Sequence, residues 1–92
     1  MSYFVYILES QKDGRFYIGQ TSDLSERLHR HNSGMENYTK SRGPWIILWC
    51  RELETRAEAM KLERKLKNMK SRKRILEFVG PVPPKRDEDA RP

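Results

Sequence analysis

Residues 3–31, YFVYILESQKDGRFYIGQTSDLSERLHRH, decide the fold of this chain. Tyr3 to Leu8 is a run of aromatic and β-branched character, too short for a typical helix and suited to a central strand covered on both faces. Asp13-Gly14 is a strong turn signal, and Arg15 to Gly19 is the return strand. With Gln11 to Gly14 as the loop, Ser10 faces Arg15, Leu8 faces Tyr17, and Tyr6 faces Gly19. A loop of even length keeps Tyr6 and Tyr17 on one side of the hairpin as diagonal neighbours, whereas an odd loop or a bulge sends them to opposite sides. Gly19 leaves open space across from Tyr6.

A helix follows. Ser22 or Asp23 caps it, Glu26 lies in its first turn, and Asn32-Ser33-Gly34 stops it. Its inward stripe is Leu24, Arg27, Leu28 and His31, so two polar residues occupy or border the face that should bury.

Met35 to Pro44 is a polar loop carrying Tyr38, Lys40 and Arg42. Trp45 to Cys50 reads as a strand on which Trp45 and Trp49 share parity and belong to the core. Thr55 and Glu58 form a capping box that opens a second helix, whose stripe Ala59, Leu62, Leu66 and Met69 faces inward with Glu63 on its edge. Ser71 caps a third helix through Val79, with Ile75, Leu76, Phe78 and Val79 available to close the core, and Gly80-Pro81 ends it. Residues 81–92 are a charged, proline-rich tail with little to bury. The expected fold is α/β over residues 1–80, a small three-stranded, mostly antiparallel sheet flanked by about three helices.

Ninety-two residues suit one domain with one modest core. Charged residues make up 35% of the chain and the net charge is +6, which favours an anionic partner. The single cysteine, Cys50, excludes an internal disulfide and a cysteine-based zinc cluster. No long apolar segment or cleavable leader opens the sequence, so the expectation is a soluble, cytoplasmic protein with no membrane attachment.

Val5-Tyr6-Ile7, then Tyr17-Ile18-Gly19-Gln20-Thr21, then Arg27 in one helix and Glu63 in a later one, resemble the GIY-YIG nuclease superfamily. The small standalone members, described as endonucleases, share the Arg42-Gly-Pro-Trp45 region and the Leu62-Glu63-x-x-Leu66-Lys67 helix. The first motif departs from the family name in having Phe4-Val5 before Tyr6, which spares the tyrosine. The resemblance implies hydrolysis of a phosphodiester in DNA with one divalent metal, usually magnesium, in DNA repair or recombination. Tyr6 would act as base toward water, Tyr17 would support it and position the phosphate, Arg27 would hold the scissile phosphate, and Glu63 would bind the metal. His31 matches a histidine of some members and would contact phosphate or Tyr6. Some members also carry an asparagine about a dozen residues after the glutamate, where counting from Glu63 gives Ile75.

The chemistry of the residues agrees with these roles. Phosphodiester cleavage needs an activated water, stabilisation of charge on the phosphate oxygens and help for the leaving oxygen, and one magnesium serves the last two. Magnesium keeps several waters and takes only one or two carboxylates, so a lone Glu63 completed by phosphate oxygens suffices. Arg27 offers a planar fork that matches a phosphate. A phenol with a reference pKa of about 10 is a poor base at neutral pH unless positive charge lowers it. Orienting the water through its oxygen is the other role open to Tyr6.

Taken singly, each residue also has an ordinary explanation. Tyr6 and Tyr17 are typical strand aromatics, Arg27 can snorkel along its leucines, His31 suits a helix C-terminus, and Glu63 can pair with Lys67. Together, two tyrosines of one parity with a glycine opposite and two inward charges ask for a phosphate and a metal as partners. The basic residues Lys67, Lys70, Arg72 and Lys73, extended by Lys40 and Arg42 and joined by the open position at Gly19, read as a DNA-backbone contact surface. Two other functions fit the same residues: a catalytically silent nucleic-acid-binding module, and a small adaptor of a repair complex. Manganese in place of magnesium, a protein partner or homodimer, and the preferred DNA structure are left open.

Overall fold

The computed structural model describes residues 2–35, 39 and 43–80. Lys40 and Arg42, and the tail expected over residues 81–92, lie outside the described residues. The element order is β1 (Tyr3–Ser10), β2 (Phe16–Thr21), α1 (Leu24–Asn32), β3 (Trp45–Leu53), α2 (Arg56–Met69) and α3 (Arg72–Val79). All strand pairings are antiparallel and the sheet order is β2-β1-β3.

β1 is central because its side chains are apolar on both faces, and Val5, Ile7 and Leu8 are fully buried. The hairpin register pairs Tyr6 with Gly19 and Leu8 with Tyr17, as the even loop requires. Side-chain bonds hold that loop. Ser10 Oγ accepts from the backbone N–H groups of Lys12 and Asp13, and Asp13 Oδ1 accepts from Arg15 N–H. Gly14 has φ 77°, a conformation that costs glycine nothing.

The two faces of the sheet have different covers. Val5 and Ile7 lie under α2 and α3 with Ala59, Leu66 and Ile75, joined at the margin by Phe16, Ile18 and Trp49. Tyr6, Leu8 and Trp45 form the other core with Tyr17, Ile47 and the α1 residues Leu24 and Leu28. The caps expected from sequence hold the helices. Asp23 accepts from Glu26 N–H, Thr55 and Glu58 cap α2 reciprocally, and Ser71 accepts from Arg74 N–H.

Two expectations are corrected. Trp45 and Trp49 do not share a face, because Ile7 pairs with Trp49 while Leu8 pairs with Ile47, which leaves Leu48 as an extra residue on β3. That bulge reverses the alternation: Trp45 packs on the α1 side, and Trp49 meets Phe78 edge-on at 5.6 Å on the other. Leu76 does not close the core and is 38% exposed, since Ile75, Phe78 and Val79 already fill the inward i, i+3, i+4 face of α3.

Arg72, the first residue of α3, ties that helix to the hairpin. Its guanidinium donates to Gly14 O and to Glu9 Oε2, the latter at 2.9 Å, and lies 4.4 Å over the Phe16 ring. No described helix is long and apolar enough to cross a membrane.

Candidate active site

Tyr6 projects from the central strand toward α1 and is 1% exposed. Its ring occupies the space above Gly19, where a Cβ would come within 2.5 Å of Tyr6 Oη and 3.2 Å of Tyr17 Cε1. The open volume expected opposite Tyr6 is therefore filled by the tyrosine itself. Tyr17 stacks on Tyr6 with ring centroids 6.4 Å apart and an interplanar angle of 28°.

α1 delivers the other two groups because Arg27 and His31 are one turn apart on its inward stripe. His31, 1% exposed, lies with Nε2 3.1 Å from Tyr6 Oη and its ring 4.7 Å from that of Tyr17. Its Nδ1 is 2.9 Å from the hydroxyl of Thr39, which is fully buried. Thr39 in turn accepts the indole N–H of Trp45 on its carbonyl at 3.1 Å. Asn32 closes the arrangement by donating to Trp45 O and accepting from Trp45 N–H, so the end of α1 is pinned to the start of β3.

Burial pushes the Tyr6 phenol up to about 12, and the neighbouring Tyr17 and, more weakly, Glu63 act in the same direction. Arg27 pulls it down by charge and by hydrogen bonding to the phenol, without overcoming the burial. Tyr6 therefore keeps its proton at neutral pH. Arg27 Nε is buried and has no hydrogen-bond partner among the described residues. A buried guanidinium N–H left without an acceptor costs about 1–3 kcal/mol, or more for a charged group, and Arg30 Nε on the same helix is in the same state.

Glu63 approaches β2 from the α2 side of the sheet. Its Oε1 accepts from Gln20 Nε2 at 2.8 Å, and its Oε2 pairs with Lys67 Nζ at 2.9 Å. The carboxylate is 19% exposed and its charge is felt at Tyr6. No group of three or more His, Cys, Asp or Glu able to hold a metal occurs among the described residues. The donor set is thus one carboxylate beside one carboxamide, which fits a hard cation that keeps most of its ligands as water or substrate oxygens. Displacing Lys67 from Glu63 costs little, since its side chain is 57% exposed.

The sequence-derived residues thus fall into two groups. Tyr6, Tyr17, Gly19, Arg27 and His31 converge on the α1 side of the sheet, with Glu63 reaching the same strand from the other layer. Among the basic residues, Lys67 is paired with Glu63, Arg72 is committed to the hairpin, Lys70 is exposed at the end of α2 in a left-handed conformation, and Lys73 is exposed on α3. The position expected from some family members to carry asparagine is Ile75, a core residue 6% exposed. Thr39 and Gln20 were not singled out by sequence. Gln20 follows Gly19 directly and its alternation places it on the α2 face, which is a usable signal. Thr39 lies in a polar loop that gives none.

A profile of the GIY-YIG catalytic domain matches residues 2–75. A UPF0213 protein of Halalkalibacterium halodurans is 39% identical over 75 residues, covering 80% of this chain and 79% of that protein. One from Streptococcus pneumoniae is 40% identical over 68 residues, 73% of this chain and 68% of the other. One from Staphylococcus aureus is 36% identical over 75 residues, 80% of this chain and 90% of the other. The solution NMR structure of a UPF0213 protein from Bacillus halodurans shares the α/β fold with a TM-score of 0.56 at 36% identity, over 86% of this chain and 83% of that one. The domain carries a nuclease-type fold, and the chain belongs to the GIY-YIG family, among the small standalone members that include the UPF0213 proteins.

Proposed function

We propose that this protein is a magnesium-dependent endonuclease that hydrolyses one phosphodiester of DNA, in repair or recombination. The observation that carries the reading is the convergence of Tyr6, Tyr17 and His31 on one side of the sheet, with the charge of Arg27 reaching the Tyr6 phenol. An anionic group bound there would pair with the guanidinium and lie against the phenol.

Arg27 grips the scissile phosphate through its fork and offsets charge growing on the phosphate oxygens. Tyr6 holds the attacking water through its oxygen. The step uses the tautomer in which the protonated phenol donates to His31 Nε2, 3.1 Å away, and Nδ1–H donates to Thr39 Oγ1, 2.9 Å away. As water attacks phosphorus, its proton passes to Tyr6 Oη while the phenolic proton passes to His31 Nε2. The phenol ends neutral and the imidazole ends as imidazolium. No free phenolate is needed, so the high phenol pKa does not obstruct the step. Tyr17 packs on both rings and restricts them. Glu63, oriented by Gln20, would hold a magnesium ion, which when bound supplies Lewis-acid stabilisation of the phosphate and the leaving oxygen.

The test is cleavage of supercoiled, branched and single-stranded DNA by the purified protein, with magnesium, with manganese and with chelator. Nicking that requires the metal supports the reading. Salt-sensitive binding without cutting under any metal overturns it in favour of a silent binding module, and neither binding nor cutting favours an adaptor.

A further inference from the structure

An open groove of about 610 Å³ runs along the free edge of β2, walled by the end of α2 and the start of α3. Its volume is within the roughly 300–1,000 Å³ that small ligands fill. Arg15, Lys67, Lys70 and Arg72 line it above an apolar floor that includes Phe16 and Leu66. The site described above does not use this groove, yet Lys67 belongs to both, since it lines the groove and holds Glu63. We infer that the groove seats an unpaired nucleotide of single-stranded DNA next to the phosphate being cut. This rests on the nuclease reading and names the form of DNA that it acts on.

Three features point to a nucleotide. The first is the Arg72 guanidinium. It lies 4.4 Å over the Phe16 ring centroid, donates through Nη1 to Gly14 O and through Nη2 to Glu9, and its side chain is still 54% exposed. A guanidinium fixed in this way on one face offers the other as a stacking surface for a base, and stacking needs a base that has left its duplex.

The second is the strand edge. Ser10 N–H donates to Arg15 O, and the antiparallel alternation from that pair turns the N–H and C=O groups of Phe16 outward, toward the groove. Those groups can meet the Watson–Crick edge of an unpaired base, the edge that pairing occupies in a duplex.

The third is charge. Asp13 also lines the groove but is paired with Arg15 at 3.6 Å, and Lys70 has no ion pair among the described residues. The balance is positive and suits phosphates. A phosphate drawn to Lys67 competes with Glu63 for that ammonium, so filling the groove would free the carboxylate beside the cut.

The experiment measures binding by fluorescence anisotropy of the full chain in chelator, with a labelled oligothymidine and with a duplex of equal length. The variants are Arg15→Glu and Lys70→Glu, singly and together, both at exposed positions, with folding checked by far-ultraviolet circular dichroism. The expected result is that the double substitution weakens oligothymidine binding by about tenfold or more and duplex binding by less than about threefold. In a second arm, an oligonucleotide carrying one 5-iodouracil is photo-crosslinked and the adduct mapped; it is expected on the β2 segment at Phe16. Equal weakening of both forms, no effect on the single strand, absence of single-strand binding by wild type, or an adduct confined elsewhere overturns the inference. Failure of the nuclease reading shows differently, as intact binding with no metal-dependent cutting by wild type.

Discussion

The alpha hydrogen of Gly19 points at the phenol of Tyr6 so closely that a methyl group there would stand 2.5 Å from Tyr6 Oη and 2.8 Å from its Cζ. Both atoms belong to a side chain that is 1% exposed, bonded to His31 and stacked on Tyr17. Gly19→Ala therefore moves Tyr6 off His31, and is expected to cost about 1–3 kcal/mol of stability, the usual penalty for overpacking. Denaturant midpoints for Gly19→Ala, Tyr6→Phe and the double variant check this. The double should cost less than the sum of the singles, because removing Oη removes the worst contact.

The Tyr6 phenol also makes a prediction about alkaline stability. Its pKa rises from 10.0 to about 12 on folding, so the folded state holds this proton more tightly than the unfolded chain. The contribution is fully present below pH 10 and is lost as the pH climbs toward 12, roughly 2–3 kcal/mol in all. Subtracting the stability–pH curve of Tyr6→Phe from that of wild type isolates it from the other titrating groups. A difference that stays flat between pH 10 and 12 would mean that the phenol is not held neutral by burial.

Arg27 carries an unsatisfied buried N–H that the fold tolerates without using. Arg27→Met keeps an unbranched apolar stem on the inward stripe of α1 and removes the polar atoms. Its unfolding free energy should change by less than about 1 kcal/mol, since the lost attraction to the Tyr6 phenol is offset by a relieved desolvation. Cleavage should fall by about 10²–10³-fold, the usual scale for deleting one donor to a developing oxyanion. Parallel loss of both would make Arg27 a structural residue.

Arg72 and Glu9 form a partly exposed pair whose side chains are 54% and 22% exposed. Solvent discounts the charge attraction, but Arg72 also covers Phe16 and donates to Gly14 O. Arg72→Ala is expected to cost about 1 kcal/mol. A double-mutant cycle with Glu9→Ala should assign about half of it or less to the ion pair, read from thermal or denaturant midpoints.

The hairpin was legible because its determinants are local. Asp13-Gly14 sets the turn, the loop length sets the parity, and the parity puts Tyr6, Tyr17 and Gly19 together before any tertiary contact is considered. The same holds for the caps at Asp23, Thr55 and Ser71, where one side chain and one backbone N–H three residues on decide the helix start. The bulge at Leu48 was not legible, since nothing in Trp45 to Cys50 marks the extra residue, and it reversed the side of Trp49. Leu76 was overcounted because an apolar residue between two inward positions looks like core until the helix is placed. Within the site, Arg27 and His31 could be placed on one face by spacing, while Thr39 behind His31 and Gln20 beside Glu63 come from segments whose approach only the fold determines. The direction of the Tyr6 shift was also beyond sequence, because it turns on burial outweighing Arg27.

The central claim is that Tyr6, Arg27 and Glu63 act on one phosphate, and single-turnover cleavage with magnesium tests it most directly. Wild type, Tyr6→Phe, Arg27→Met and Glu63→Gln are compared on one labelled DNA, with binding to that DNA measured separately in chelator. The account predicts that wild type cuts, that each substitution lowers the rate constant by about a hundredfold or more, and that Tyr6→Phe and Glu63→Gln leave binding within about threefold of wild type. A Tyr6→Phe or Glu63→Gln variant that cuts at the wild-type rate would contradict it.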